Sequence, residues 1–461
     1  MSRDPLKAIV LKGVLLLALW VTLIELVNGI MIVKFGFTYV DTLVRLAFFL
    51  IPMVLIIYVP VERGSIFFYF IVFILAHMFL RFLRTDIKLD AVLFDLQYTA
   101  RSFLLLVSVA LFGYSLGGKR LAAFLRKYFV IHWFVITVAI CLQIFFDIGG
   151  MTYISGDQMR EGYISFFVSG NQIYFLYVTS WWFLASYWQK MCYRIPLTIV
   201  TLLIQLAMGT RSGVVLVCAM SSLFVAKKIY DKSRVLLAVT LILSLVGGVL
   251  VVANFDLVMG LAANAFIKVS SESTHIEQNV NTYGALSALV SKRDILLGYA
   301  IASIKHYTPW EFLVGPNFFV YKEAMGSYST GDVRMAEIDP VDLLGGFGIL
   351  GLLVMYLPAL WLLVNLTKRK FVGRDFGPQN RMFFPIQGAI FITLLQSGMS
   401  GHVFLAPVAV LTVGFLLSMA SHMLYDEKRA TALASDDGSG VDLVDAPGYL
   451  SANKPVTGEG S

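Results

Sequence analysis

The sequence predicts an all-α polytopic integral membrane protein of about twelve transmembrane helices, with one large external (periplasmic) loop region before the last three spans. Three observations predict it. First, 58% of the 461 residues are hydrophobic, 14% are charged and the mean hydropathy is +0.79, whereas a soluble domain carries about a quarter charged residues. Second, apolar runs near the ~20 residues needed to cross a bilayer recur from one end of the chain to the other. Lipid offers no partners to backbone amides, so these runs are expected to be helices; a membrane β-barrel would show short alternating segments instead. Third, only one internal stretch, from about Asn254 to Gly345, is polar and long enough to fold outside the membrane.

Taken in order, the expected spans are 13–33, 43–60, 66–83, 102–117, 129–147, 172–189, 195–209, 212–226, 235–254, 343–366, 382–400 and 402–423. The pair flanking Gly209-Thr-Arg-Ser-Gly213 is short on both sides. It reads either as two tilted spans meeting at a tight turn or as a re-entrant pair. Charge tests the alternation. With a cytoplasmic N-terminus, Lys119, Arg120, Arg126, Lys127, Lys190, Arg194, Lys227, Lys228, Lys232 and Arg234 fall inside, as do Lys368, Arg369, Lys370, Arg374 and Arg381. Positive charge concentrates in cytoplasmic loops, so the layout passes. The expected organisation is an N-terminal transmembrane bundle over 1–254, an external loop region with short helices over 255–342, and C-terminal transmembrane helices over 343–425. A small, polar, acidic tail over 426–461 is expected to be disordered. Both termini are then expected on the cytoplasmic side, with the 254–345 interval facing outward. The first apolar run is long and lacks a small-residue cleavage site, so it is expected to stay as an anchor.

Several function classes drop out. The net charge of +7 is scattered over short loops and does not suggest nucleic acid. Cys141, Cys192 and Cys218 have no metal-ligand spacing and read as small apolar residues. Walker-type glycine loops and paired Cys or His motifs are absent from the sequence, which argues against ATP hydrolysis and a dedicated zinc site. No cofactor and no metal are expected.

The arginines that this layout places outside stand out, because the positive-inside bias disfavours arginine in short external loops. They are Arg160 in Gly156-Asp-Gln-Met-Arg-Glu-Gly-Tyr163, Arg211 in the Thr-Arg-Ser-Gly turn, Arg293 after Ser291-Lys292, and Arg334. Guanidinium never loses its charge and grips phosphate bidentately, which suits a diphosphate at the outer leaflet. Snorkelling to headgroups, or pairing with Glu161, Asp294 or Asp332, is the plainer alternative. Three carboxylates follow: Glu337, Asp339 and Asp342, with Pro340 expected to start a helix at 341. Such acids cap helix starts and complement the dipole. One of them could equally act as general base toward a sugar hydroxyl. His306 and His402 are the remaining outward candidates, each open to a purely interfacial reading. Glu25 and Asn28, one turn apart in the first span, are either functional polar residues or packing partners of a neighbouring helix.

These residues together resemble a known superfamily, the bacterial O-antigen polymerases and O-antigen ligases. The likeness rests on Arg160-Glu-Gly-Tyr with Gly170-Asn-Gln, on Gly209-Thr-Arg-Ser-Gly213, on Lys292-Arg-Asp-Ile-Leu through Trp310 to Leu313-Val-Gly-Pro-Asn317, and on Glu337 to Gly351, so it covers about 150–410. The resemblance implies a metal-independent glycosyltransferase of the bacterial inner membrane, with its active site facing the periplasm. It would move a glycan from a polyprenyl-diphosphate carrier to a sugar hydroxyl, with Arg211 and Arg293 on the diphosphate and Arg160 and Arg334 as further candidates. The ligase branch opens its last loop motif with a His-Asn pair. Here Glu337 takes the histidine's place, which favours the polymerase branch and makes Glu337 and Asp339 the candidate bases. The implied partners are a polyprenyl-diphosphate-linked oligosaccharide, membrane lipid and a chain-length regulator protein. The ligase reaction and a non-enzymatic lipid-linked oligosaccharide flippase are the competing readings; the second predicts two related halves, which the sequence does not display.

Overall fold

The structure, a computed structural model, describes residues 5–36, 89–146, 148–149, 164–167, 170–188, 190–208, 210–230, 293–328, 335–371, 380–399, 401 and 403–436. Every regular element among them is helical. In chain order these are α1 (Pro5–Phe35), α2 (Leu89–Thr99), a π turn (Ala100–Leu104), α3 (Leu105–Ser115), α4 (Gly118–Phe146), α5 (Gly170–Tyr187), α6 (Met191–Ala207) and α7 (Arg211–Tyr230). From the next described residue they continue as α8 (Arg293–Lys305), α9 (Pro309–Val314), α10 (Phe318–Tyr328), α11 (Asp339–Phe371), α12 (Asn380–Met399) and α13 (Pro407–Asp436).

Among the described residues, five stretches are long and apolar enough to cross a membrane: Lys12–Phe35, Gly118–Phe146, Asp339–Lys368, Met382–Met399 and Pro407–Leu424. The architecture is therefore that of a helical, membrane-embedded protein. The expected spans 102–117, 195–209 and 212–226 coincide with shorter apolar helices, Leu105–Ser115, Met191–Ala207 and Ser212–Phe224. Those at 43–60, 66–83 and 235–254 lie outside the described residues.

The expected span 172–189 corresponds to α5, which is the centre of the bundle. Every residue from Ile173 to Ser186 is buried, and α4, α6, α7, α12 and α13 all pack on it. A helix enclosed on all sides needs no polar face. Its aromatic side chains supply the contact area: Trp182 stacks on Phe224 of α7 at 4.9 Å and meets Phe384 of α12 at 5.1 Å, while Phe183 meets Phe129 of α4 at 4.4 Å. Gly388 of α12 lies flat against the Trp182 indole, where a side chain would collide with the ring.

Side-chain pairs fix the helix directions. On α4 and α5, Phe129 meets Phe183 and Thr137 bonds Tyr177, so these two run antiparallel. Tyr128 bonds Thr412 at 2.7 Å and Phe124 meets Phe415, so α13 also opposes α4. Between α3 and α13, Ser418 Oγ donates to the Ala110 carbonyl at 2.6 Å and His422 Nε2 to that of Tyr114 at 2.8 Å, four residues further along both chains. These two helices are parallel and approach closely through Gly113 and Gly414. An alternating layout requires these same relative directions of the segments concerned.

Two boundaries differ from expectation. The helix expected to start at 341 starts at Asp339, and it is broken at Gly348 (φ 66°, ψ −172°), so the expected span 343–366 is not one straight rod. Only glycine adopts that backbone without strain. At the other end α13 continues through Asp436, into the stretch expected to be disordered. Ala430, Ala432, Leu433 and Ala434 are strong helix formers.

Candidate functional site

The head of α11 is where the sequence's acidic residues gather, and each does something different there. Asp339 is wholly buried. Its Oδ2 accepts the amides of Val403 and Phe404 at 2.7 and 2.8 Å, so it anchors the turn that leads into α13. Asp342 is wholly buried too, and its Oδ1 accepts the Ala336 amide at 2.9 Å and the Tyr321 hydroxyl at 3.0 Å. Its Oδ2 is enclosed with no hydrogen-bond partner among the described residues. Glu337 is the half-buried one.

Glu337 occupies left-handed backbone, φ 57°, a conformation shared among the described non-glycine residues only with Ser165 and Asn317. For a glutamate that costs about 1–2 kcal/mol, so neighbours must hold it. On one side the Ala336 amide is tied to Asp342. On the other, the Ile338 carbonyl accepts the amides of Val341 and Asp342, both at 3.0 Å, starting the helix. From above, Gly401 (φ 61°) lies against the Glu337 carbonyl, leaving no room for a side chain at 401. Strain held by surrounding structure in this manner gathers at functional sites.

The segment Leu313-Val-Gly-Pro-Asn317 packs beneath this turn. Gly315 (φ 78°) lies backbone to backbone against Gly346 and Gly348, at the break in α11. The Tyr307 hydroxyl donates to the Gly345 carbonyl at 2.8 Å, a carbonyl next to that break. Asn317 (φ 139°) is buried and its Oδ1 accepts the Val320 amide at 2.6 Å, which caps α10. The same helix start is secured from α2, where Asp95 Oδ1 accepts the Phe319 amide at 3.2 Å and Tyr98 stacks on Phe318 at 4.8 Å. Phe347 completes the contact, edge-on to Phe103 in the π turn at 4.5 Å and to Phe318 at 4.7 Å. Burial raises the pKa of the Tyr321 hydroxyl, and the adjacent Asp342 carboxylate raises it further, so it stays a neutral donor.

The predicted arginines are distributed over the frame. Arg293 is the first residue of α8, and α8 packs on α10 and α11, the two helices that carry the acidic turn and its support. Arg211 is the first residue of α7, at a turn where Thr210 donates through its amide and hydroxyl to Gln205 and where Gly213 sits tight against Gln205 and Tyr174. Helix α7 packs on α5, α6 and α12, and α12 in turn packs on α11. Arg160, Arg334 and His402 lie outside the described residues. His306 is exposed in the turn after α8. Away from this region, Asn28 is buried on α1, and a side chain at the neighbouring Gly29 would collide with the Phe166 carbonyl. Among the described residues no three His, Cys, Asp or Glu side chains gather as metal ligands.

Asp95, Tyr307 and Tyr321 were not singled out from the sequence. Asp95 carries a usable signal, an acid beside a long apolar run; the tyrosines carry none, because their partners are 38 and 21 residues away.

No family model matches the chain, and neither a curated protein nor a solved structure matches it.

Proposed function

We propose that this protein is a polysaccharide repeat-unit polymerase of the bacterial inner membrane. It would have about twelve spans, cytoplasmic termini and a periplasmic site. The donor is a glycan on a polyprenyl diphosphate and the acceptor a sugar hydroxyl. Glu337 takes the acceptor proton, the acceptor oxygen bonds to the anomeric carbon from the face opposite the leaving group, and the anomeric C–O bond breaks toward the lipid diphosphate. Arg211 and Arg293, with Arg160 and Arg334, neutralise the charge that develops on that diphosphate. The product keeps the growing chain on a lipid carrier and releases the spent carrier as its diphosphate.

The observation that carries this reading is the division of labour among the three carboxylates at the head of α11. Asp339 and Asp342 are enclosed and hold backbone amides, while Glu337 is half-buried and held in a strained turn. A general base needs access and a fixed position, and Glu337 is the acid that combines the two. Asp339, the other candidate base of the sequence, is better suited to positioning the turn before α13.

The test is surface polysaccharide from a deletion strain, complemented with wild type or with Glu337→Gln. Single repeat units in place of a ladder, rescued by wild type and not by Glu337→Gln, support the reading. Finished polymer stranded on its polyprenyl carrier would make the protein a ligase, and an unchanged profile would return it to the transporters.

A further inference from the structure

Helix α9 (Pro309–Val314) packs on α11 and leaves an apolar surface partly exposed. Trp310, Phe312 and Leu313 are 43%, 44% and 38% exposed, next to an exposed Pro309. The one charged residue of this helix, Glu311, is turned away from that surface: its carboxylate accepts the Thr308 amide at 2.8 Å and the Thr308 hydroxyl at 2.9 Å, closing a capping box. Ile301 of α8 and Val320 of α10 are exposed apolar residues as well. Lys305 and His306, both exposed, stand at the entry to α9.

The level of this surface in the fold identifies what meets it. Through Gly315, the end of α9 touches the backbone of Gly346 and Gly348, where the uninterrupted apolar part of α11 begins. Beyond that break α11 exposes Leu353, Leu357, Leu360, Trp361 and Val364 to its surroundings, the composition of a lipid-facing helix surface. The exposed patch of α9 therefore stands at the head of a membrane-crossing segment, where tryptophan favours the headgroup boundary and basic side chains meet anionic headgroups.

We infer that α9 is an interfacial anchor whose Trp310, Phe312 and Leu313 enter the headgroup–acyl boundary of one bilayer leaflet, with Lys305 at the phosphate level. The α8–α10 segment is then not a water-facing loop domain: it is seated on the membrane, which fixes the height of the acidic turn at lipid-headgroup level. This inference does not depend on the transferase reading.

The full-length protein in nanodiscs of phosphatidylcholine and phosphatidylglycerol tests it. Tryptophan emission is compared between wild type and Trp310→Phe, in ordinary lipid and in lipid brominated near the headgroup end of the acyl chains. Wild type is expected to lose more emission than the variant, the excess matching one of its seven tryptophans. Nitroxides at 312, 313 and 327 give a second measure that does not depend on the tryptophan. Those at 312 and 313 should be relaxed by oxygen and shielded from an aqueous nickel complex, with the label at 327, where Ser327 is exposed, showing the reverse. Equal quenching of wild type and Trp310→Phe, with nickel access at 312 and 313, would overturn the inference. So would shielding from both reagents with spin–spin broadening, which would give the surface to a second copy of the chain.

Discussion

Asp339 and Phe404 lie 65 residues apart and are joined by a 2.8 Å hydrogen bond from the Phe404 amide to the Asp339 carboxylate, with Val403 donating to the same oxygen at 2.7 Å. One buried carboxylate thereby ties the head of α11 to the turn that starts α13, and it brings Gly401 down onto the Glu337 carbonyl. The acidic turn is thus a composite of two chain segments, and disturbing either one moves Glu337.

That relationship separates structure from chemistry in a measurable way. Asp339→Ala leaves two buried amides without an acceptor, at a cost of about 1–3 kcal/mol, and should lower the unfolding temperature of the detergent-solubilised protein clearly. Asp339→Asn keeps an acceptor oxygen and should lose less. Glu337→Gln should unfold like wild type and make no polymer. A stable but inactive Asp339→Asn beside an active Glu337→Gln would move the base to Asp339.

Arg211→Ala and Arg293→Ala should each abolish polymer while the protein remains in the membrane fraction at normal abundance. Both are the first residues of their helices, and neither belongs to the buried apolar cluster around α5. Polysaccharide of normal chain length from both variants would remove the diphosphate clamp from the proposal.

The helical, membrane-embedded class was legible because it rests on composition and run length, which need no tertiary information. The helix start near the head of the Glu337–Gly351 segment was legible too, since Pro340 and the clustered acids mark one in any context. What each acid does there was not. Whether a carboxylate caps, anchors or stays accessible depends on partners such as Phe404, Tyr321 and Ala336, and two of these three belong to other helices or turns. The break at Gly348 was hidden for the same reason: Gly345, Gly346, Gly348 and Gly351 all read alike in sequence, and only the approach of Gly315 selects the one with positive φ. Helix α5 was predicted as a span, yet nothing in its sequence marked it as the fully enclosed one.

Gly315 and Gly348 test that selection. Each has positive φ and meets the other's backbone, with Gly315 N and Gly348 N lining the contact. Alanine at either position adds about 1–3 kcal/mol of backbone strain before any collision is counted, so both variants should unfold at lower temperature. Gly298→Ala is the control. It sits within α8 with open space around it, and replacing a mid-helix glycine should stabilise by roughly 0.5–1 kcal/mol. Equal behaviour of all three would mean that the Gly315–Gly348 contact does not hold α9 to α11.

Tyr321 supplies a pH-dependent test of the same region. Its hydroxyl donates to Asp342 from a fully buried position, and burial followed by the neighbouring carboxylate raises its pKa above the ordinary tyrosine range. In the unfolded chain a tyrosine ionises near ~10. The folded state therefore holds a proton that the unfolded state releases as pH climbs past that value, and unfolding becomes progressively easier. The contribution of this hydroxyl to stability is fully present below pH ~10 and lost above it. Tyr321→Phe removes the bond, worth about 0.5–1.5 kcal/mol, and removes the titration with it. Wild type should unfold at higher temperature than Tyr321→Phe at neutral pH, and the gap should shrink steadily as pH rises through the alkaline range. A gap that stays constant up to strongly alkaline pH would mean that Tyr321 is not held as a buried donor to Asp342, and the support of the Ala336–Glu337 turn would have to come from elsewhere.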